Sequence, residues 1–356
     1  MRSGTRGRTA AFTLIEVLVA STIIVVMLGF LLVLMDQTAR IWASTAAKVE
    51  QFREARTGFE RVTTRLSQAT LNTYWDYDSA TKPTRYERRS ELRFITGSAP
   101  TMLGPSPASP PATRITHAVF FNAPLGVTGD VNYTGLANAL NTFGYFVELA
   151  DETGQRPLFI TNAMIPPRWR FRLMEFSQPT ENFSVYQSTS GVIGGMPKSA
   201  TYTGTEWFKN DMNTTTVLKR IVAENVIALI ITPRLAKAEE LPLQSNATHS
   251  PLAPLYSYDS TGTNAIAQLN PRSQLPPVVQ LTMIALDEKS AEKLDLDSTK
   301  ADILEIVKSK LFADTRNLTA DLATLEATLG NRHLRYRIFT TNVHIRAAKW
   351  SREQTN

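Results

Sequence analysis

Residues 12–35 read FTLIEVLVASTIIVVMLGFLLVLM, twenty-four positions holding a single ionisable side chain, Glu16. As a helix this run would be about 36 Å long, against roughly 30 Å of bilayer hydrocarbon, so it predicts a membrane span. Ahead of it lies MRSGTRGRTAA (residues 1–11), with Arg2, Arg6 and Arg8 and no acid. That basic leader predicts a cytoplasmic N-terminus, with everything beyond Met35 on the far side of the membrane. A secretory signal peptide has a shorter apolar region, about 7–15 residues, ending at a small-x-small site. Here the run is longer, and Asp36-Gln37-Thr38-Ala39-Arg40 follows it without such a site. A plain signal anchor competes, but it gives Glu16 no role beyond snorkelling toward the headgroups. A carboxylate inside a span costs a few kcal/mol on insertion scales, and such residues usually face a partner.

The stretch Ala11-Phe12-Thr13-Leu14-Ile15-Glu16-Val17-Leu18-Val19-Ala20 resembles the class III signal of type IV pilins and type II secretion pseudopilins. That pattern is a small residue, then Phe-Thr-Leu-Ile-Glu, then an apolar helix, behind a basic leader. The resemblance implies that a prepilin peptidase cuts between Ala11 and Phe12 and N-methylates Phe12. It implies that Glu16, then the fifth mature residue, meets the amino terminus of a neighbouring subunit during assembly. Pairing a carboxylate with an ammonium in lipid relieves two unfavourable groups at once and can set the axial register of packing. The partners so implied are other pilin-like subunits, the peptidase, an inner-membrane assembly platform and membrane lipid. The implied location is the bacterial inner membrane, single-pass, with a periplasmic head. Two departures stand out: Ala11 occupies the position where the family has Gly, and the mid-span proline is missing, leaving Gly29 as the only helix-weakening residue of the span.

Helical character continues past Met35, for no proline occurs from Phe12 until Pro83. Phe52, Phe59 and Leu66 recur every seven residues, and Ala55, Val62 and Ala69 form a second series beside them. Together they draw one apolar stripe down a helix, with Arg53, Glu54, Arg56, Glu60, Arg61 and Arg65 off it. Some three heptads make a thin coiled coil. The stripe therefore predicts a stalk over residues 36–73 that packs on the chain's own head, residues 74–356.

Within that head, Glu91–Thr96, Trp169–Phe176 (WRFRLMEF), Val226–Thr232 (VIALIIT), Val278–Leu286 and Tyr336–Ile345 read as strands, and His117–Phe121 with Gly144–Leu149 as a strand pair. WRFRLMEF alternates like a half-buried strand, and Pro233 reads as the stop of VIALIIT. Lys300–Phe312 and Thr319–Leu329 have the spacing of a helical hairpin. Residues 97–113, with five prolines, and residues 187–216 and 240–277 read as loops or insertions. The fold class expected is α+β: a long N-terminal helix, transmembrane then stalk, packed on a mainly antiparallel sheet with long loop insertions. FRLMEFSQPTE, VIALIITPR, LPPVVQLTMIALDE and YRIFTTNVHIRAAKW resemble the large J-type minor pseudopilins. They resemble still more the Verrucomicrobial cassette proteins of the C type, which carry a pilin-type N-terminus.

Little in the chain points to catalysis. It has no cysteine, which excludes disulfides and thiolate chemistry. It has no HExxH, G-x-S-x-G, Walker loop or G-x-G-x-x-G. Gly191–Gly195 (GVIGG) does not run directly into the Lys-Ser/Thr of a phosphate loop, for Met196-Pro197 stand before Lys198-Ser199. Asp295, Asp297 and Asp302 lack the glycine and glutamate of a calcium loop, and Asp76 with Asp78 reads as surface acid. His117 and His344, within strands, read as core or surface histidines. Tyr74, Trp75 and Tyr77 read as packing between stalk and head. The net charge is +6, of which the leader's three arginines supply half, so nucleic acid is not an expected partner. The expectation is a structural subunit with no cofactor, no metal and no enzymatic activity, minor or terminal because so large a head crowds a uniform filament. The alternatives are a signal-anchored periplasmic binding module outside any filament, and an anchored enzyme.

Overall fold

Leu14–Gln51 forms the first helix, α1, in the computed structural model. The structure describes residues 14–79, 81–105, 112–153, 157, 159, 167–185, 205–209, 211–213, 218–240, 249–262, 269–297, 300–307 and 310–351, without the side chains of 39–51 and 295–297. Leu14–Thr38 within α1 is apolar and exposed at every position. Its 25 residues rise about 37 Å, long enough to cross a bilayer. Ser21 and Thr22 return their hydroxyls to the Leu18 carbonyl at 2.9 and 2.8 Å, and Thr38 to Leu34 at 2.7 Å. The few hydroxyls of the run thus find partners inside the helix, as an apolar surrounding requires.

The chain divides into two units, Met1–Gln51 and Phe52–Asn356. The second begins with α2, Arg53–Leu66, whose stripe is buried at Ala55, Phe59, Val62 and Leu66. Ala69 continues it beyond the helix, and Phe52 packs at its start. The helix ends at Leu66 and not near Thr73, because the last turn tightens and the chain is then drawn to the sheet. Gln68 and Ala69 donate to the carbonyls of Arg65 and Leu66, Thr70 donates to the Asn122 carbonyl at 2.9 Å, and Arg346 satisfies the Ser67 carbonyl.

Eleven strands follow among the described residues: β1 Tyr74–Tyr77, β2 Tyr86–Arg89, β3 Phe94–Ser98, β4 Thr113–Pro124, β5 Leu140–Asp151, β6 Trp169–Gln178, β7 Leu218–Glu224, β8 Val226–Arg234, β9 Tyr258–Asp259, β10 Val278–Leu286 and β11 Tyr336–His344. The later helices are α3 Ala99–Leu103, α4 Glu206–Lys209, α5 Lys237–Glu240, α6 Glu288–Asp297, α7 Lys300–Glu305 and α8 Leu318–Asn331. The strands build a six-stranded sheet, β7-β6-β5-β4-β3-β9, a three-stranded sheet, β11-β10-β8, and a separate β1-β2 ribbon. Every pairing among them is antiparallel. The architecture is α+β.

One core lies between the six-stranded sheet, the three-stranded sheet and α2. α2 packs against β7, β10 and β11, with the Phe59 and Phe339 rings 5.7 Å apart. Glu54 accepts the Glu224 backbone N–H at 3.0 Å, holding the helix over the edge strand β7. A second core covers the opposite face of the large sheet with Phe120, Phe146, Phe176, Trp207, Phe208 and Met212. Phe120 stacks on Phe208 with centroids 3.7 Å apart. Its ring lies over Gly144, its cross-strand partner, where a Cβ would overlap it.

This second core explains a departure from the sequence reading. β6 alternates, yet every residue from Arg170 to Gln178 is buried, because both faces of the sheet are covered. β8 runs through Pro233 to Arg234, with Pro233 opposite Val279. β8 is an edge of its sheet, where a missing N–H breaks no ladder. Among the described residues of 300–312, helical structure is confined to α7, and α6 was not anticipated, while the β4–β5 pair was.

Candidate functional site

The cleavage positions Ala11 and Phe12 lie outside the described residues. Glu16 stands in the first turn of α1, exposed. The next ionisable side chain along the helix is Asp36. The exposed Leu14–Thr38 surface therefore carries one acid near its start, followed by nineteen residues without an ionisable side chain.

In the second unit a buried ion-pair cluster fastens α2 to the sheet. Glu175 of β6 has a side chain only 2% exposed. Arg61 Nε and Nη2 donate to its two oxygens at 2.8 Å each, and Arg65 Nη1 stands 2.5 Å from Oε2. The Tyr145 hydroxyl donates to Oε2 at 2.8 Å. Burial alone would raise the Glu175 pKa, but the Arg61 hydrogen bonds, the Arg65 charge and Tyr145 outweigh it and hold it below the ordinary value. Burial, reinforced by the Glu175 charge, pushes the Tyr145 phenol far up, so it stays protonated and donating. Arg65 also lies over the Phe143 ring, 4.6 Å from its centroid. Sequence reading placed Arg61 and Arg65 merely off the stripe. The available signal was Glu175 itself, a carboxylate in register with Trp169, Phe171 and Leu173 on the core-facing side of β6.

His117 is a core histidine, one of the two readings the sequence left open. A β-bulge between Ile115 and Val119, with Thr116 at φ 53°, turns it toward β8. Its Nδ1 accepts the Ile231 N–H at 3.2 Å and its Nε2 lies 2.9 Å from the Phe312 carbonyl, which fixes the proton on Nε2. Burial lowers its pKa to about 4, against a smaller raising effect of the Phe312 bond. A cavity of about 1010 Å³ opens beside it, walled by Ile115, Leu304, Val307, Leu311 and Phe312. Both ring nitrogens are engaged with the backbone, so His117 offers this cavity neither a base nor a metal ligand.

Among the described residues no group of three or more His, Asp or Glu is placed to hold a metal. Asp78 closes the β1–β2 loop, accepting the Ser79 and Thr84 N–H groups at 2.9 Å and the Thr84 hydroxyl. Those bonds, the Thr84 hydroxyl foremost, lower its pKa to about 2. Asp76 lies 3.5 Å from Arg89. GVIGG and the side chains of Asp295 and Asp297 lie outside the described residues. His344 is exposed on β11.

The expected packing of Tyr74, Trp75 and Tyr77 does not occur. They are 39%, 60% and 48% exposed, and belong to neither core. The reason is local: their segment pairs with β2 into a two-stranded ribbon outside both sheets.

No family model, curated protein or solved structure matches the chain.

Proposed function

We propose that this chain is a pilin-like minor subunit of a type IV pilus or type II secretion-like assembly, processed between Ala11 and Phe12 and assembled through its N-terminal helix. The observation that carries the reading is the Leu14–Thr38 helix, exposed and apolar, with Glu16 in its first turn directly behind the Phe12-Thr13 start of the class III pattern. In lipid that carboxylate gains most by meeting a cation, and the new amine at Phe12 of a neighbouring subunit supplies one. The burial of the α2 stripe on the sheet further supports a helix-bearing head of the pilin kind. On this reading the chain is a structural component, inserted in the inner membrane with its head in the periplasm.

Mass spectrometry of the N-terminal peptide from membrane-extracted protein, with and without a prepilin peptidase, tests the processing step. The expected peptide begins at N-methylated Phe12 when the peptidase is present. A start at Met1 or Arg2 under both conditions would reduce α1 to a signal anchor. Glu16→Ala should abolish crosslinking to partner subunits while leaving membrane insertion intact. Unchanged crosslinking would favour an anchored binding module outside any filament.

A further inference from the structure

We propose that the β1–β2 ribbon face carrying Trp75, Tyr77 and Tyr86 is a binding site for a neutral polysaccharide. Cross-strand register pairs Trp75 with Arg88 and Tyr77 with Tyr86, and side chains of directly opposed residues share a face, so these four stand together. Trp75 and Tyr86 are 60% and 63% exposed. None of the three rings joins either core, so neither core depends on them.

The rings are nonetheless held in place. Tyr77 and Tyr86 stack with centroids 5.0 Å apart and interplanar angle 28°. The Arg88 guanidinium lies over Trp75, 5.6 Å from its centroid, and is fixed by donating to the Lys349 carbonyl at 2.9 Å. The Asp78 carboxylate ties the loop joining the two strands. Exposed aromatic rings oriented in advance lose little entropy on binding.

Charge decides the class of ligand. Residues 74–89 hold four cations and three acids, a formal +1. The guanidiniums already have partners: Arg85 and Arg272 sit 3.0 and 3.1 Å from Glu87, and Arg89 sits 3.5 Å from Asp76. A nucleic acid or an anionic bilayer draws its affinity from cations free to replace counterions, and here carboxylates hold Arg85 and Arg89 while the Lys349 carbonyl holds Arg88. A pyranose needs no such cations. Its C–H-rich face carries partial positive charge and lies on the negative face of an aromatic ring, while its hydroxyls bond at the edges. The Tyr77 and Tyr86 hydroxyls, 3.4 Å apart on this face, supply edge donors and acceptors. Trp75 and Tyr77, two residues apart on one strand, set side chains about 7 Å apart along the ribbon, so a polymer of linked rings engages more of the site than one sugar.

The test is co-sedimentation of the full chain, in detergent micelles, with three insoluble neutral glycans: cellulose, chitin and a β-1,3-glucan. Binding to at least one is expected, insensitive to salt between 50 and 500 mM, and weakened about tenfold by Trp75→Ala or Tyr86→Ala. The thermal unfolding midpoint of the two cores should match the parent in both variants, since neither ring belongs to a core. Failure to sediment with all three glycans overturns the proposal. So does binding that both substitutions leave unchanged. Salt-sensitive capture by oligo(dT) or by phosphatidylglycerol vesicles, with no glycan binding, overturns it in favour of a polyanion. The site does not depend on the reading of the N-terminal helix, so the Phe12 peptide and the glycan assay fail or succeed separately.

Discussion

Replacing Glu175 with Gln removes the charge on which α2 is fastened while keeping the shape of the side chain. Glu175 receives two hydrogen bonds from Arg61, one from Tyr145 and the Arg65 charge at 2.5 Å, in a position 2% exposed. A hydrogen bond to a charged group contributes roughly 1.5–3 kcal/mol, and breaking a buried pair by removing one partner costs about 3–5 kcal/mol. The full cost does not apply, because Arg61 is 39% and Arg65 23% exposed, so both guanidiniums recover part of their hydration. Gln also retains one carbonyl acceptor. The expected loss is therefore about 2–3 kcal/mol.

Urea unfolding of the full chain in micelles, followed by tryptophan fluorescence, reads this difference. Glu60→Gln is the control. Its partner Arg56 and Glu60 itself are 70% and 63% exposed, so that pair should matter by less than about 0.5 kcal/mol. A double-mutant cycle of Glu175→Gln with Arg65→Met should give a coupling of roughly 1–3 kcal/mol. If Glu175→Gln costs no more than Glu60→Gln, α2 is held by its apolar stripe alone and the electrostatic account is wrong.

Three further outcomes follow from the same geometry. His117 has a folded pKa near 4, below its unfolded value of about 6.5, so the unfolded chain binds the extra proton between these values. Stability should fall by about 3 kcal/mol as pH drops from 6.5 to 4, and His117→Gln should flatten that slope in a series of urea titrations. The Glu175 pKa is depressed, so its contribution is complete above about pH 4.3 and lost only as pH falls through the lower folded value. An acid limb that survives His117→Gln and disappears in Glu175→Gln would separate the two windows. Gly144→Ala drives a methyl into the Phe120 ring and should cost about 1–3 kcal/mol, whereas Gly135→Ala, with open space around it, should cost under about 1 kcal/mol. Equal midpoints for the two alanine variants would contradict the packing of Phe120 over β5.

Much of this fold was legible because its signals are local. The α2 stripe needed only the recurrence of Phe52, Phe59 and Leu66 beside Ala55, Val62 and Ala69, and all but Phe52 are buried. Val278–Leu286 was legible from β-branched and apolar content alone, and β10 has those bounds. The misreadings share a different cause. Whether β6 is half-buried or wholly buried depends on Trp207, Phe208 and Met212, some thirty residues away, covering its second face. Pro233 is tolerated because β8 lies at an edge, a property of strand order and not of the residues around it.

Composition also obscured two features of the head. Tyr74, Trp75 and Tyr77 are apolar enough to suggest burial, yet a two-stranded ribbon lies against neither core, and its rings remain in solvent. Arg61 and Arg65 suggested a solvated helix face, yet they converge on a carboxylate 110 or more positions later in the chain. In both cases the decisive neighbour is remote in sequence. The two features also differ in what they serve. The Glu175 cluster is interior and joins elements of one head, so its loss should appear as instability with recognition intact in the molecules that remain folded. The ribbon rings stabilise no core, so their loss should appear as lost recognition at unchanged stability. A variant of either site that shifted both properties together would mean that ribbon and α2 are mechanically joined, most directly through residues 67–73, which lead from the end of the helix to Tyr74.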